Sequence, residues 1–452
     1  MERWKELLNP VTFRERTPRT EFDGRNPFEN DYGRLISSSS IRRLQDKTQV
    51  FPLEQSDFIR TRLTHSLEVS YIGSSIALSI EKYLIDKKEL GKEYVGYLSS
   101  LLKVAGLVHD LGNPPFGHFG EEAIQSYFKN FFAIEQNKKL LSQREIADFV
   151  NFDGNVQTFR ILRKLHFFGD EFSFNLTFPS LASIIKYPSN SIEGNLGKGA
   201  KEIRKKKFGY FISEEKEYHE INNTLKLNNK RHPIVYLLEA ADDIAFCAAD
   251  LEDGVKIGIV NEKDIERVFS ENLESNTELL DYFKNLQQDY KSLNVIIQKF
   301  RVKAQSKMIE EVILAFQENY DKIMRGELEE ELIYVSKAAD IRRSFKKLQH
   351  IVFDNKKIMQ TELAGWEAIT GLLDIFVKSI LSDDFDIYKS NKESRLYKNI
   401  SSSYRYIFEN YSEKYYSDNQ AYNKIQLVLD FIVGMTDSYT ISLFQKLKGI
   451  KL

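Results

Sequence analysis

The stretch VAGLVHDLGNPPFGHFGEEAI, residues 104–124, leaves this chain few ways to fold. It opens as an apolar helix through Leu101, Leu102, Val104, Ala105, Leu107 and Val108. Gly112 supplies a stop signal, and Pro114 and Pro115 forbid continuation because proline has no N–H to donate. His109 and Asp110 therefore stand side by side at the mouth of a helix that must be buried. A carboxylate at the edge of an apolar interior is unfavourable unless a partner compensates it. A divalent cation is the most economical partner. A loop carrying His118 is expected next, then a second helix from near Phe119 with Glu121 and Glu122 in its first turn.

The rest of the chain limits what that pair can serve. With 452 residues, two or three domains are expected. A net charge of −2, from 64 basic and 66 acidic residues, gives no global field for nucleic acid or membrane. Cys247 is the one cysteine, so an internal disulfide and a thiolate zinc site are both excluded. That fits a reducing, cytoplasmic setting. The opening MERWKELLNP has no apolar signal core, and no run reaches the ~20 apolar residues of a membrane span.

Residues 1–50 carry Arg14, Arg16, Arg19, Arg25, Arg34, Arg42 and Arg43, and read as a solvated arm or a phosphate-facing or subunit-facing one. The serines of 37–40 can cap a helix over 41–46, followed by a short extended piece over 48–53. Residues 60–84 have helical periodicity, with Leu63, Leu67, Tyr71, Ser74 and Leu78 on one side and His65 near the start. FDGNVQTFRILRKL (152–165) reads as a turn feeding a helix, LASIIKYP (181–188) as a helix stopped by Pro188, and 201–211 as a basic cluster. The helix predicted over 233–257 puts Asp242, Phe246, Asp250 and Asp253 in one stripe with no lysine from Leu237 to Val255. Exposed acids would normally be interleaved with bases. Beyond 258 the pattern is helical, and regular strand–helix alternation is absent, against a parallel sheet.

Taken together, His65, His109, Asp110 and Asp242 offer two imidazoles and two carboxylates. Such a mixed set suits a divalent ion with open positions, such as manganese, iron, magnesium or nickel, with zinc an alternative. The H…HD…D pattern resembles the signature of the HD phosphohydrolase superfamily. LQDKTQVFPL, RTRLTHSLEVS, HDLGNPPFGHFGEEAI, HPIVYLLEAADDIAFCAADLEDG and DFIVGMTDSY together resemble the deoxyguanosinetriphosphate triphosphohydrolases.

The resemblance implies an all-α fold: a helical HD core over 51–260, an N-terminal arm over 1–50, a helical C-terminal region over 261–452, and at most a small β-hairpin. It implies hydrolysis of a dNTP, dGTP first, to the deoxynucleoside and inorganic triphosphate, with manganese or magnesium as the expected cofactor. It also implies His118 and Glu121 as a catalytic pair, their i,i+3 spacing letting the carboxylate orient the imidazole. Arg62, Lys186, Tyr187 and Lys207 match positions expected to touch the phosphates, with Asn155 and Gln157 as further candidates from the FDGNVQ turn. Gln49, Val50, Phe246 and Asp250 match positions near the sugar. Relatives commonly carry Tyr where this chain has Phe246, so any bond made by that phenol is lost. Asp243 neighbours Asp242 but points ~100° away, which disfavours it as a ligand. A homo-hexamer or homo-tetramer, a dNTP or single-stranded DNA effector acting through 14–43 or 395–406, and no membrane complete the expectation. An HD hydrolase of another nucleotide, or a nucleic-acid-binding regulator with an HD core, are the alternatives.

Overall fold

In a computed structural model, residues 2–17, 23–54, 56–166, 170–273, 276–415 and 417–450 are described. Arg19 lies outside them. The described residues form helices joined by turns and irregular chain, and their only pairing of extended chain is an isolated antiparallel bridge between Thr48 and Thr61. The extended piece expected over 48–53 thus reduces to one bridge. Its neighbours are instead fixed one by one, with Arg62 N–H donating to the Lys47 carbonyl at 3.0 Å.

Ten helices position the site: α1 Arg62–Asp86, α2 Tyr97–Val108, α3 Gly117–Ala133, α4 Gly154–Arg160, α5 Pro233–Lys256, α6 Leu293–Glu318, α7 Ala339–Phe353, α8 Lys356–Leu381, α9 Gln420–Val433 and α10 Asp437–Leu447. The centre is the packing of α1 on α2, with α5 laid across both. Gly106 makes this possible. A Cβ there would lie 2.6 Å from the backbone of Ser70, so only glycine lets α2 press this closely on α1. His65 and His109 are brought together by that approach.

α1 corrects one expectation. The face of Leu67, Tyr71 and Leu78 is the exposed one, at 41%, 73% and 58%, while Val69, Ile76, Ala77, Ile80 and Leu84 are fully buried. The helix is apolar nearly all round, so periodicity alone does not choose its inner face. Its orientation is set instead by α2 and α5. The start of the described chain, residues 2–8, is also no solvated arm. Trp4, Leu7 and Leu8 are fully buried, and the Trp4 indole N–H donates to the Tyr320 hydroxyl at 2.9 Å. Two helix boundaries move as well. α3 starts at Gly117, so His118 lies in its first turn rather than in a loop. The helix before Pro188 spans only Phe178–Ala182, leaving Lys186 and Tyr187 on irregular chain. No single helix among the described residues is long and apolar enough to cross a membrane.

α5 begins with a histidine cap. His232 Nδ1 accepts the Ile234 N–H at 3.3 Å, and its Nε2–H donates to the Leu7 carbonyl at 3.1 Å. Burial pushes its pKa from 6.5 down to about 4. Between these values the unfolded chain binds the extra proton, so this contribution is full above pH 6.5 and is lost as pH falls through 4. The gap corresponds to about 3 kcal/mol, about 2 of it gone by pH 5. Urea unfolding at pH 7 and pH 5 is expected to show His232→Asn losing about 2 kcal/mol less than the wild type over that interval; equal losses would refute the assignment.

Candidate active site and metal centre

Three helices deliver the cluster. Thr61 caps α1, accepting the Thr64 N–H, and one turn in lies His65, fully buried. His109 is the C-cap of α2, at 3% exposure, and Asp110 follows it. Asp242 comes from the middle of α5. His65 Nε2 lies 3.1 Å from Asp242 Oδ1, and His109 Nε2 lies 3.4 Å from the same oxygen. One donor atom from each of the three falls within 4.8 Å of the others. Asp110 Oδ1 is 3.5 Å from His109 Nε2, while its other oxygen accepts from Arg62.

The hydrogen bonds fix the chemistry of His109. Its Nδ1 lies 2.8 Å from the Gly106 carbonyl and must donate to it. That places the lone pair of a neutral ring on Nε2, a buried atom with no hydrogen-bond partner. A ring held by a carbonyl behind and presenting an unpaired nitrogen in front is the arrangement of a metal-ligating histidine. Burial would raise the pKa of Asp242, but His109, His65 and Lys186 outweigh it and hold the carboxyl well below the usual range. Asp110 is likewise held low, against burial, by His109 and Arg62. Two imidazoles and an ionised carboxylate within a few ångströms fit a divalent cation.

Asp110 and Asp242 open onto a cavity of about 270 Å³, lined also by Thr48, Gln49, Val50, Arg62, Asn113, Phe116, His118 and Phe246. His118, at the rim, receives Glu121: Nδ1 to Oε2 is 3.0 Å. This contact raises the His118 pKa above 6.5. Glu121 Oε1 accepts the Gly154 N–H at 2.7 Å, so the FDGN turn orients the carboxylate that orients the imidazole. Asp153 caps α4 through the Asn155 N–H and pairs with Lys207, which is drawn up against burial by that carboxylate. Lys186 Nζ stands 3.7 Å from Asp242. Tyr187 is buried at 7% and packs against Arg231, whose guanidinium carbon lies 5.5 Å from the ring centre.

Other expected residues point elsewhere. Asp250 is buried at 2%, away from the cavity lining, and accepts from Gln349 Nε2 at 2.7 Å. The α5 stripe shares a face but not an environment, because α7 covers its second half. Asn155 turns its amide to Asp153 at 2.7 Å, and Gln157 is buried against Asp430 at 2.9 Å. Asp243 lines the cavity but is engaged by Arg342 Nε at 2.6 Å. The basic segments are also occupied. Arg14 pairs with Asp170, Arg16 with Asp31 and Arg25 with Asp23; Arg43 donates to Tyr404, and Arg405 to the Ile400 carbonyl. Arg342, Phe353 and Glu362, on or beside α7 and α8, line the cavity without any sequence signal, since no motif connects them to the HD stretch. Lys47 and Asp437 lie in LQDKTQVFPL and DFIVGMTDSY, two of the segments that carry the family resemblance.

An all-helical core joining two buried histidines to aspartates across a His-Asp step defines an HD-domain hydrolase, and residues 62–171 match the family model described as HD domain. The chain is 39% identical to a deoxyguanosinetriphosphate triphosphohydrolase-like protein of Listeria innocua, over 99% of this chain and all of the relative. It is 31% identical to one of Synechocystis, over 99% of this chain and all of the relative. It is 30% identical to the deoxyguanosinetriphosphate triphosphohydrolase of Yersinia pestis, over 94% of each chain. The chain belongs to the deoxyguanosinetriphosphate triphosphohydrolase family.

Gly154 offers a direct test of the orienting turn. A Cβ there would lie 2.1 Å from Asn113 Oδ1 and 2.9 Å from Glu121 Oε1, so both side chains must give way. Gly154→Ala is expected to lower kcat at least tenfold with manganese affinity kept within threefold; an unchanged kcat would show that Glu121 needs no such support.

Proposed function

We propose that the chain is a metal-dependent dNTP triphosphohydrolase, converting dGTP and water to deoxyguanosine and inorganic triphosphate and accepting other dNTPs. One observation carries the reading: a cation-ready His/Asp cluster and a Glu-oriented histidine border the same cavity. His65, His109, Asp110 and Asp242 would hold the cation. Carboxylate oxygen beside imidazole favours manganese or magnesium over a thiolate-seeking metal. When bound, such an ion supplies Lewis acidity at a phosphate oxygen and lowers the pKa of water.

The remaining roles fall to the chain itself. Water oxygen bonds to the α-phosphorus, the bond to O5′ breaks, and O5′ leaves with a proton. His118 is the donor of that proton, and its hydrogen bond with Glu121 raises its pKa. Arg62 exchanges Asp110 for phosphate, to which its fork is equally suited. Lys186, Tyr187 and Lys207 face the rest of the triphosphate. Gln49, whose buried Oε1 has no partner in the protein, accepts from the sugar 3′-hydroxyl. Phe246 and Val50 offer a 2′-hydroxyl no hydrogen bond. Asp250, Asn155 and Gln157 receive no substrate contact in this scheme.

A closed homo-oligomer and a dNTP effector belong to the same reading. The exposed Tyr71 and Leu78 on α1 support self-association. Single-stranded DNA is the alternative effector, and to bind through 14–43 it would have to displace the acids that pair Arg14, Arg16 and Arg25. A nucleotide substrate and the lone cysteine fit the cytoplasm.

Incubation with each dNTP and manganese or magnesium is expected to release the deoxynucleoside and triphosphate; dGMP with pyrophosphate would overturn the proposal. Asp242→Asn should abolish both turnover and manganese binding. His118→Ala should lower kcat about 10²–10⁴-fold, the range of general acid–base catalysis, with manganese affinity unchanged.

A further inference from the structure

The segment DFIVGMTDSY is part of the family resemblance, yet none of the chemistry above uses it. Its Asp437 opens α10 behind the Thr436 cap and is 2% exposed. The two carboxylate oxygens serve opposite walls of the cavity. Oδ2 accepts the Thr48 N–H at 2.9 Å and also the Thr48 hydroxyl. Oδ1 accepts the Phe116 N–H at 3.1 Å. Thr48 leads directly into Gln49 and Val50, and Phe116 into Gly117 and His118, all of which line the cavity.

Three features show that this is a built junction. Two backbone N–H groups and a hydroxyl face Asp437 there; a carboxylate accepts from all of them, whereas an amide can satisfy only one of the two N–H groups with its oxygen when its NH₂ turns toward the other. Phe116 sits at φ 61, a left-handed conformation that a residue with a side chain leaves when released. Lys47 forms a second strut beside the first: its buried Nζ donates to the Asn113 carbonyl at 2.7 Å and to the Val433 carbonyl at 2.8 Å. Both struts run from the end of the chain to the two segments that carry Gln49 and His118.

We infer that Asp437 is a positioning residue, holding the Gln49 wall and the His118 wall of the cavity in fixed register. The inference rests on the reaction proposed above, in which those walls carry sugar recognition and proton transfer. In full-length Asp437→Asn, hydrogen–deuterium exchange is expected to quicken at least tenfold in the peptides containing Thr48 and Phe116 and to stay unchanged around His65 and Asp242. kcat should fall at least tenfold at saturating substrate, with manganese affinity within threefold of the wild type. Exchange and kcat both within twofold of the wild type would overturn the inference. So would loss of protection throughout the chain together with manganese binding, which marks a purely structural role. Should Asp437→Asn fail to fold, Thr48→Val decides, since it removes one hydroxyl and leaves the backbone bonds. More than a threefold fall in kcat/KM with manganese binding intact supports the junction, and a smaller fall refutes it. A wild type that releases no triphosphate from any dNTP would sink the proposed reaction alone, because the exchange measurement tests the junction without reference to turnover.

Discussion

The fold is arranged around an electrostatic problem: an ionised Asp242 lies against two buried imidazoles, with Asp110 one step away. Removing such charges from water costs several kcal/mol each unless close partners compensate. The protein supplies partial answers. Asp110 has Arg62, and Asp242 has Lys186 at 3.7 Å and the rings of His65 and His109. Arg62 and Lys186 are side-chain cations beside the cavity, and such a group can hand its carboxylate to a metal ion and turn to phosphate. Asp430, held by the fully buried Arg160 away from the cavity lining, has no such exchange open to it. The cluster therefore combines stable burial with the capacity to exchange partners.

The geometry that sustains it is supplied in layers. α1, α2 and α5 fix the three donor residues, and Gly106 sets how near they come. The FDGN turn, one layer out, fixes Glu121 and engages Lys207. The outermost layer comes from residues far along the chain: Arg342 on α7, Glu362 on α8 and Asp437 on α10. The first half of the chain, to Asp242 and just beyond, thus carries the His/Asp cluster and His118, and the later half closes the cavity over them. Active-site precision of this kind depends on supporting residues as much as on the groups that react.

How much of this was legible depended on distance along the chain. The His109-Asp110 step, the helix stop before Gly112 and the His118–Glu121 pair are local, and each is written in adjacent residues. Periodicity read as helical beyond 258 and spoke against a parallel sheet, while the all-α class itself followed from the family resemblance. The inner face of α1 was not legible, because a helix apolar on most sides shows its orientation only through its neighbours. Asn155 and Gln157 looked like phosphate contacts because they are polar and beside the motif; the nearby Asp153 and the distant Asp430 claim them instead. Arg342, Phe353 and Glu362 left no trace, since a cavity wall made by a remote helix needs no local pattern.

Three of the acids on α5 make the same point in energetic form. Asp242 and Asp243 face the cavity and Asp250 is enclosed, and burial pushes each pKa upward. At Asp242 the imidazoles and Lys186 overcome that push, and the group stays ionised. At Asp243 the Arg342 guanidinium only moderates it, and the pKa settles near 7. At Asp250 the neutral Gln349 amide supplies a hydrogen bond but no nearby charge of its own, and the adjacent Asp253 adds repulsion, so the carboxyl is driven well above its ordinary range. Asp250, accepting from Gln349, is a packing element of the α5–α7 contact. Helical spacing put these acids on neighbouring faces; only the partners brought by other helices decide which of them is a ligand.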